Sequence, residues 1–213
     1  MSQKRVVIFS GGELQPQYIE EIQPGDFIIG ADKGALFLIS HGIKPDLAAG
    51  DFDSISQQEL DIVRAESGKI VECDPIDKNL TDTELALEMA IKERPDCILL
   101  IGGTGSRLDH TLANVQMLTR ALQHDIQCAI MDQNNYITLT DSNMEVLDRG
   151  YKYVSLLPMT PEVNGITLEE FQYPLDNATL KIGESLGISN VLIASRGKIR
   201  IKDGLLLIIQ SRD

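Results

Sequence analysis

The chain has 213 residues, 43% of them hydrophobic, and carries 32 acidic against 19 basic side chains for a net charge of -13. That apolar content over that length supports a sizeable buried core, in one large domain or two small ones, and argues against disorder. The acid excess leaves no basic footprint for nucleic acid, and a phosphorylated ligand would call for a metal that reverses the local charge.

Cys73, Cys97 and Cys128 are widely spaced and odd in number, with no CxxC pair, so neither a disulfide framework nor a cysteine zinc site is indicated. Reduced, buried thiols and a cytoplasmic location are expected. The N-terminal apolar run "VVIF" is too short for a signal-peptide core, and nowhere do eighteen apolar residues run together to span a membrane.

In chain order, "RVVIFSGG" (5–12) and "DFIIGAD" (26–32) read as buried strands, the second followed by a helix over "KGALFLISHG" that Gly42 closes. "DLAAGDFDS", "KIVEC" (69–73), "CILLIGGTGS" (97–106) and "CAIMDQ" (128–133) read as further strands. Helical patterns fall between the last three. In "TDTELALEMAIKE", Leu85, Met89 and Lys92 follow one another at i, i+4 and i+7 beside Ala86 and Ala90. In "DHTLANVQMLTRALQH", Leu112, Val115, Leu118 and Leu122 form the apolar stripe. Alternating strands and helices predict a mainly parallel sheet with helices on both faces, whose ligands sit at the carboxyl ends of the strands. Beyond residue 133 the segments are short, β-rich and punctuated by turns. "KIRIKDG" alternates with period two, and Asp203-Gly204 reads as a hairpin turn. The fold class expected is therefore α/β, with an α/β catalytic domain over 1–133 and an antiparallel β-sandwich over 134–213.

The acidic segment "GDFDSI" (50–55) carries the strongest chemical signal. Asp51 and Asp53 at i and i+2 point to one side of an extended backbone, and two converging carboxylates suit Mg²⁺, a hard ion that takes oxygen ligands. Aspartates are also plentiful in solvated turns, but these follow a strand, and Phe52 between them suggests a fixed loop. "KNLTDTELAL" (78–87) places Thr81 and Glu84 in a capping box and Asp82 in the first helical turn, where the helix dipole alone accounts for the acid. "GSRLDHTLANV" (105–115) pairs Arg107, suited to bidentate phosphate binding, with Asp109; an exposed Arg–Asp pair is the plainer account. No Walker loop or dinucleotide fingerprint is present, and "GGTGS" alone is a tight turn as readily as a phosphate loop.

Taken together and in this order, "ADKGALFLISHGIKPDLAAGDFDSI", "KNLTDTELAL", "GGTGSRLDHTLANV" and a β-rich tail with "GISNV" resemble thiamine pyrophosphokinases of the bacterial type. The resemblance runs from about Gly30 to the C-terminus. It implies Mg²⁺-dependent transfer of the β,γ-pyrophosphoryl group of ATP to the thiamine hydroxyl, giving thiamine diphosphate and AMP. It also implies a homodimer with each thiamine site built between subunits. By position, Asp51, Asp53 and Asp82 match the metal site, and these three with Asp109 match the catalytic acids. Asp32, Thr81, Arg107 and Asp109 match the ATP site, and Ser189 and Asn190 the thiamine-contacting pair. Two positions depart from the pattern: Lys33 stands where the family commonly has glycine, and Asn79 where it often has an acid. The rival readings are a related pyrophosphokinase acting on a hydroxymethylpterin, a Mg²⁺-dependent phosphohydrolase, and a non-catalytic thiamine or nucleotide sensor.

Overall fold

The computed structural model describes residues 4–72 and 80–213, so Cys73 and Asn79 lie outside the described residues. The chain divides into two compact units, Met1–Asp132 and Gln133–Asp213.

The first unit runs β1 (Arg5–Phe9), a 3-10 turn (Pro16–Glu21), β2 (Phe27–Ala31), α1 (Lys33–Ser40), β3 (Leu47–Gly50), α2 (Gln57–Glu66), β4 (Lys69–Glu72), α3 (Asp82–Lys92), β5 (Cys97–Ile101), α4 (Leu108–Leu122) and β6 (Gln127–Met131). Its strands lie in the order β4-β3-β2-β1-β5-β6, all parallel. The chain winds outward from β1 to β4 and then returns to the other side for β5 and β6. Right-handed crossovers therefore put α1 and α2 on one face and α3 and α4 on the other. The packing agrees: α1 lies against α2, and α3 against α4. Covered on both faces, central β1 is apolar at successive positions rather than alternately, with Val6, Val7, Ile8 and Phe9 all fully buried. Helix α1 ends as expected: Gly42 takes φ +77°, and the Ile43 N–H reaches back to the Leu38 carbonyl.

The second unit contains β7 (Asn135–Thr140), β8 (Met144–Leu147), β9 (Tyr153–Pro158), β10 (Glu162–Glu169), β11 (Ala178–Lys181), β12 (Arg196–Arg200) and β13 (Leu206–Ser211). Antiparallel β7-β13-β9 forms one layer and β11-β10-β12-β8 the other. Val154, Leu156, Leu206 and Ile208 from the first layer meet Val146, Val163, Ile166, Leu168, Leu180 and Ile199 from the second in one core. This is a β-sandwich.

Two local expectations are corrected, and other segments were not anticipated. Residues 57–66 form a helix that was not anticipated, opened by a full capping box between Ser56 and Glu59. Residues 190–195 form only isolated bridges, at Asn190 and Leu192, and β10 is a strand that no sequence motif above marked. Asp203-Gly204 is not a hairpin, because β12 and β13 belong to different layers and the turn carries the chain between them. Leu112 is 54% exposed, since the face of α4 that packs inward runs through Asn114, Val115, Met117, Leu118 and Ala121.

Candidate active site

Reversal of the strand order at β1 and β5 opens a crevice beyond their carboxyl ends, the usual ligand position in an open parallel sheet. Two glycine loops meet there. The Gly12 N–H donates to the Gly102 carbonyl and the Glu13 N–H to that of Thr104. A Cβ on Gly12 would lie 2.3 Å from the Gly102 oxygen and 2.5 Å from the Thr104 oxygen, so only glycine fits. The second loop is braced from outside. Asn114, buried on α4, donates to the Gly103 carbonyl at 2.6 Å, and Thr104 donates to Asp132 at 2.7 Å. On the other side, the Ser10 hydroxyl at the end of β1 bonds the Thr83 hydroxyl in the first turn of α3.

Beside this crevice the acids converge. Pairing of β2 with β3 sets Ala31 opposite Ala49. The residues that follow each strand are thus neighbours, and carboxylate oxygens of Asp32, Asp51 and Asp53 lie within 4.8 Å of one another. Asp82, at the start of α3, joins them by accepting the Asp51 N–H at 3.2 Å. Thr81 caps that helix by accepting the Glu84 N–H at 3.2 Å. The Glu84 carboxylate goes to Arg120, at 2.7 Å.

Convergence of Asp51 and Asp53 does not come from extended backbone. Phe52 takes φ +55° and drives its ring into a pocket of Ala35, Ala48 and Val63, while Asp51 accepts the Asp53 N–H at 3.1 Å. A bulky residue at positive φ is held there by burial. Asp32 is also at positive φ, +50°. One of its oxygens accepts the Ser54 hydroxyl at 2.5 Å; the other, Oδ1, is buried with no hydrogen-bond partner. Burial first, and then the Asp82 and Asp51 charges, push the Asp32 carboxyl above the usual carboxylate range against the pull of Ser54 and the Lys33 N–H. An orphaned buried carboxylate oxygen among further carboxylates is a donor set suited to a hard divalent cation.

Arg107 and Asp109 open α4. They pair with each other, Nη2 to Oδ2 at 2.6 Å, and both side chains are about two-thirds exposed. The pair raises the arginine and holds the Asp109 carboxyl below its ordinary value. In the second unit, Ser189 sits at φ +58° with its N–H on the Ser155 hydroxyl. Asn190 is buried. Its side-chain oxygen accepts the N–H groups of Tyr173 and Val191, and its amide donates to the Tyr173 carbonyl, so it locks the segment bearing Ser189 to the one bearing Tyr173. Sequence reasoning had passed over Ser54, Gly12, Asn114 and Asp132. "SGG" after the first strand was the available cue for the glycine.

Residues 18–130 match the family model for the thiamin pyrophosphokinase catalytic domain, and residues 138–206 that for the thiamin pyrophosphokinase vitamin B1 binding domain. A curated thiamine pyrophosphokinase of Bacillus subtilis is 35% identical across 99% of this chain and all of its own length. The chain belongs to the thiamin pyrophosphokinase family. The crystal structure of the Bacillus subtilis thiamine pyrophosphokinase superposes with a TM-score of 0.91 over 99% of this chain and 100% of that one. The thiamin pyrophosphokinase of Geobacillus thermodenitrificans, 33% identical, superposes with a TM-score of 0.87 over 98% of each chain. The acid cluster, Arg107 and Asp109 thus fall within the stretch matched by the family's catalytic domain, and Ser189 and Asn190 within that matched by its vitamin-binding domain.

Proposed function

We propose that the protein transfers the pyrophosphoryl group of ATP to the hydroxyl of thiamine, releasing AMP. The observation that carries this reading is the meeting of Asp32, Asp51 and Asp53 within 4.8 Å, with one buried Asp32 oxygen unpartnered, in a chain aligned end to end with a thiamine pyrophosphokinase. Asp51, Asp53 and Asp82, with Asp32 beside them, would hold Mg²⁺, which neutralises phosphate charge and polarises the transferring group. Asp32, Thr81, Arg107 and Asp109 would bind ATP, the guanidinium exchanging its carboxylate partner for phosphate oxygens. The thiamine oxygen attacks the β-phosphorus, the bond from that phosphorus to the α,β-bridging oxygen breaks, and AMP leaves. Asp82 or Asp109 orients the attacking hydroxyl or receives its proton.

Ser189 would meet thiamine directly, with Asn190 fixing the segment around it. A homodimer with thiamine between subunits fits the concentration of exposed Tyr173, Ile182, Leu186, Ile188 and Ile193 in the second unit. Among the described residues no helix is long and apolar enough to cross a membrane, and a cytoplasmic location fits the free thiols of Cys97 and Cys128. The match of residues 138–206 to a vitamin B1 binding domain favours thiamine over a pterin acceptor.

Incubation with thiamine, ATP and Mg²⁺ should yield thiamine diphosphate and AMP in equal amounts, abolished by chelator and by Asp51→Ala. AMP or ADP without thiamine diphosphate would overturn the reading in favour of another acceptor or hydrolysis. Thiamine binding without turnover would favour a sensor.

A further inference from the structure

We infer that Lys33 is a phosphate-binding residue of this site, placed beside the acid cluster to hold the polyphosphate of the nucleotide. The inference rests on the reading above and adds a residue to it. Three or more carboxylates around one divalent ion leave the site negative, and a polyphosphate adds further negative charge, so cations must come from elsewhere in the chain.

Most described cations of the first unit are committed or distant. Arg64 is paired with Glu72 and Arg120 with Glu84 and Glu88, while Arg107, paired with Asp109, is the one cation already assigned to the phosphates above. Lys69 begins β4 and Lys92 ends α3, which puts both at the amino ends of the parallel strands, away from the crevice. Lys33 differs. It opens α1 directly after Asp32, at the carboxyl end of β2, and is exposed. Its ammonium forms no ion pair with the described residues and feels Glu59 only through space. The Glu59 carboxylate is already engaged by the Ser56 N–H and hydroxyl.

Position supplies the rest. A Cβ built on Gly11 would lie 3.6 Å from Asp32 Oδ2 and 3.9 Å from the Lys33 Cβ. The bare backbone of the first glycine loop, the carboxylate and the base of the lysine stem therefore meet at one place. A flexible four-carbon stem carries a point charge from there to the phosphates without needing a fixed geometry.

The test measures equilibrium binding of MgATP and of magnesium tripolyphosphate to the full chain, as wild type, Lys33→Met and Lys33→Arg. Lys33→Met should weaken both by about tenfold, as loss of one charged hydrogen bond does. Lys33→Arg should restore most of the loss, and thiamine affinity should not change. Lys33 is exposed, so both variants should melt with the wild type. Unchanged binding by Lys33→Met overturns the inference. Absence of thiamine diphosphate from the wild type, with the binding loss still present, would defeat the proposed transfer and leave the lysine's role standing. Failure of the wild type to bind MgATP would defeat both.

Discussion

Replacing Asp32 by Asn should make the metal-free protein more stable at neutral pH and abolish turnover. Two features of Asp32 are costly in the folded state. Its Oδ1 is buried without a partner, which costs about 1–3 kcal/mol. Oxygens of Asp51 and Asp53 lie within 4.8 Å, and each such pair is worth about 3 kcal/mol at an effective dielectric of about 20, reduced by solvent because Asp53 is exposed. Against these, the Ser54 hydroxyl bond strengthens with the charge, by about 1 kcal/mol over a neutral acceptor. The amide of Asn leaves the same buried position unpartnered, so the gain comes from removing the charge. With solvent cutting the two pair terms to about 3 kcal/mol together and the Ser54 advantage of about 1 kcal/mol lost, a net gain of about 2 kcal/mol follows for Asp32→Asn, or roughly 4–8 °C in Tm for a chain of this size. The sign with pH is set by burial, which raises the folded carboxyl above its ordinary 3.8. The folded state then holds the proton more tightly than the unfolded chain. The stability the wild type draws from Asp32 is full below 3.8 and is lost as pH rises through the folded value. The advantage of Asp32→Asn is therefore present at pH 7 and fades at acid pH. Thermal melts in chelator across that range provide the assay, with a Mg²⁺ titration as the second arm. Ligation stabilises the native state, so Mg²⁺ should raise the wild-type Tm and have a smaller effect on the variant. A variant less stable than wild type in chelator at pH 7 would refute the reasoning.

Two further outcomes follow from the same geometry. Gly12→Ala would drive a methyl into the carbonyl oxygens of Gly102 and Thr104. It should lower stability by about 1–3 kcal/mol and raise KM for MgATP, read by melts and steady-state kinetics; an unperturbed Tm would mean the two loops are not in contact. Asn190→Ala strands the Tyr173 N–H and carbonyl. It should cost about 1–3 kcal/mol and raise KM for thiamine while leaving KM for ATP alone. An equal rise in both would argue against a role confined to the vitamin.

The parallel sheet was legible because strands buried on both faces announce themselves as unbroken apolar runs, as in "VVIF" and "CILLI". The hairpin reading of Asp203-Gly204 failed because a turn signal is local, whereas the partner of a strand is chosen by which layer its apolar face must cover. Helix α2 escaped notice because it fully buries only Val63, with Leu60 partly buried and Ile62 exposed, leaving Ser56 and Glu59 as its sole strong mark. The acids were legible individually. Local pattern alone did not show their meeting, which only the family resemblance implied, since Asp32 reaches Asp51 and Asp53 through the pairing of β2 with β3, and nothing in "GDFDS" states that register.

The missed helix and the recognised motif turn out to be one structure. Four carboxylates gathered at strand ends repel one another, and a loop free to move would splay them apart. What prevents this is Phe52, 3% exposed and held at φ +55°. Its pocket is made by Ala35 of α1, Ala48 of β3 and Val63 of α2, with Leu60 and Ile55 packed around it. Burying a phenylalanine contributes about 1.5–3 kcal/mol, comparable to the strain and repulsion it must hold in check. Two of those pocket side chains, Leu60 and Val63, come from α2. The helix that carries no chemical signal is thus what keeps Asp51 and Asp53 pointed at Asp32, and the capping box that starts it acts on the acid site through Phe52.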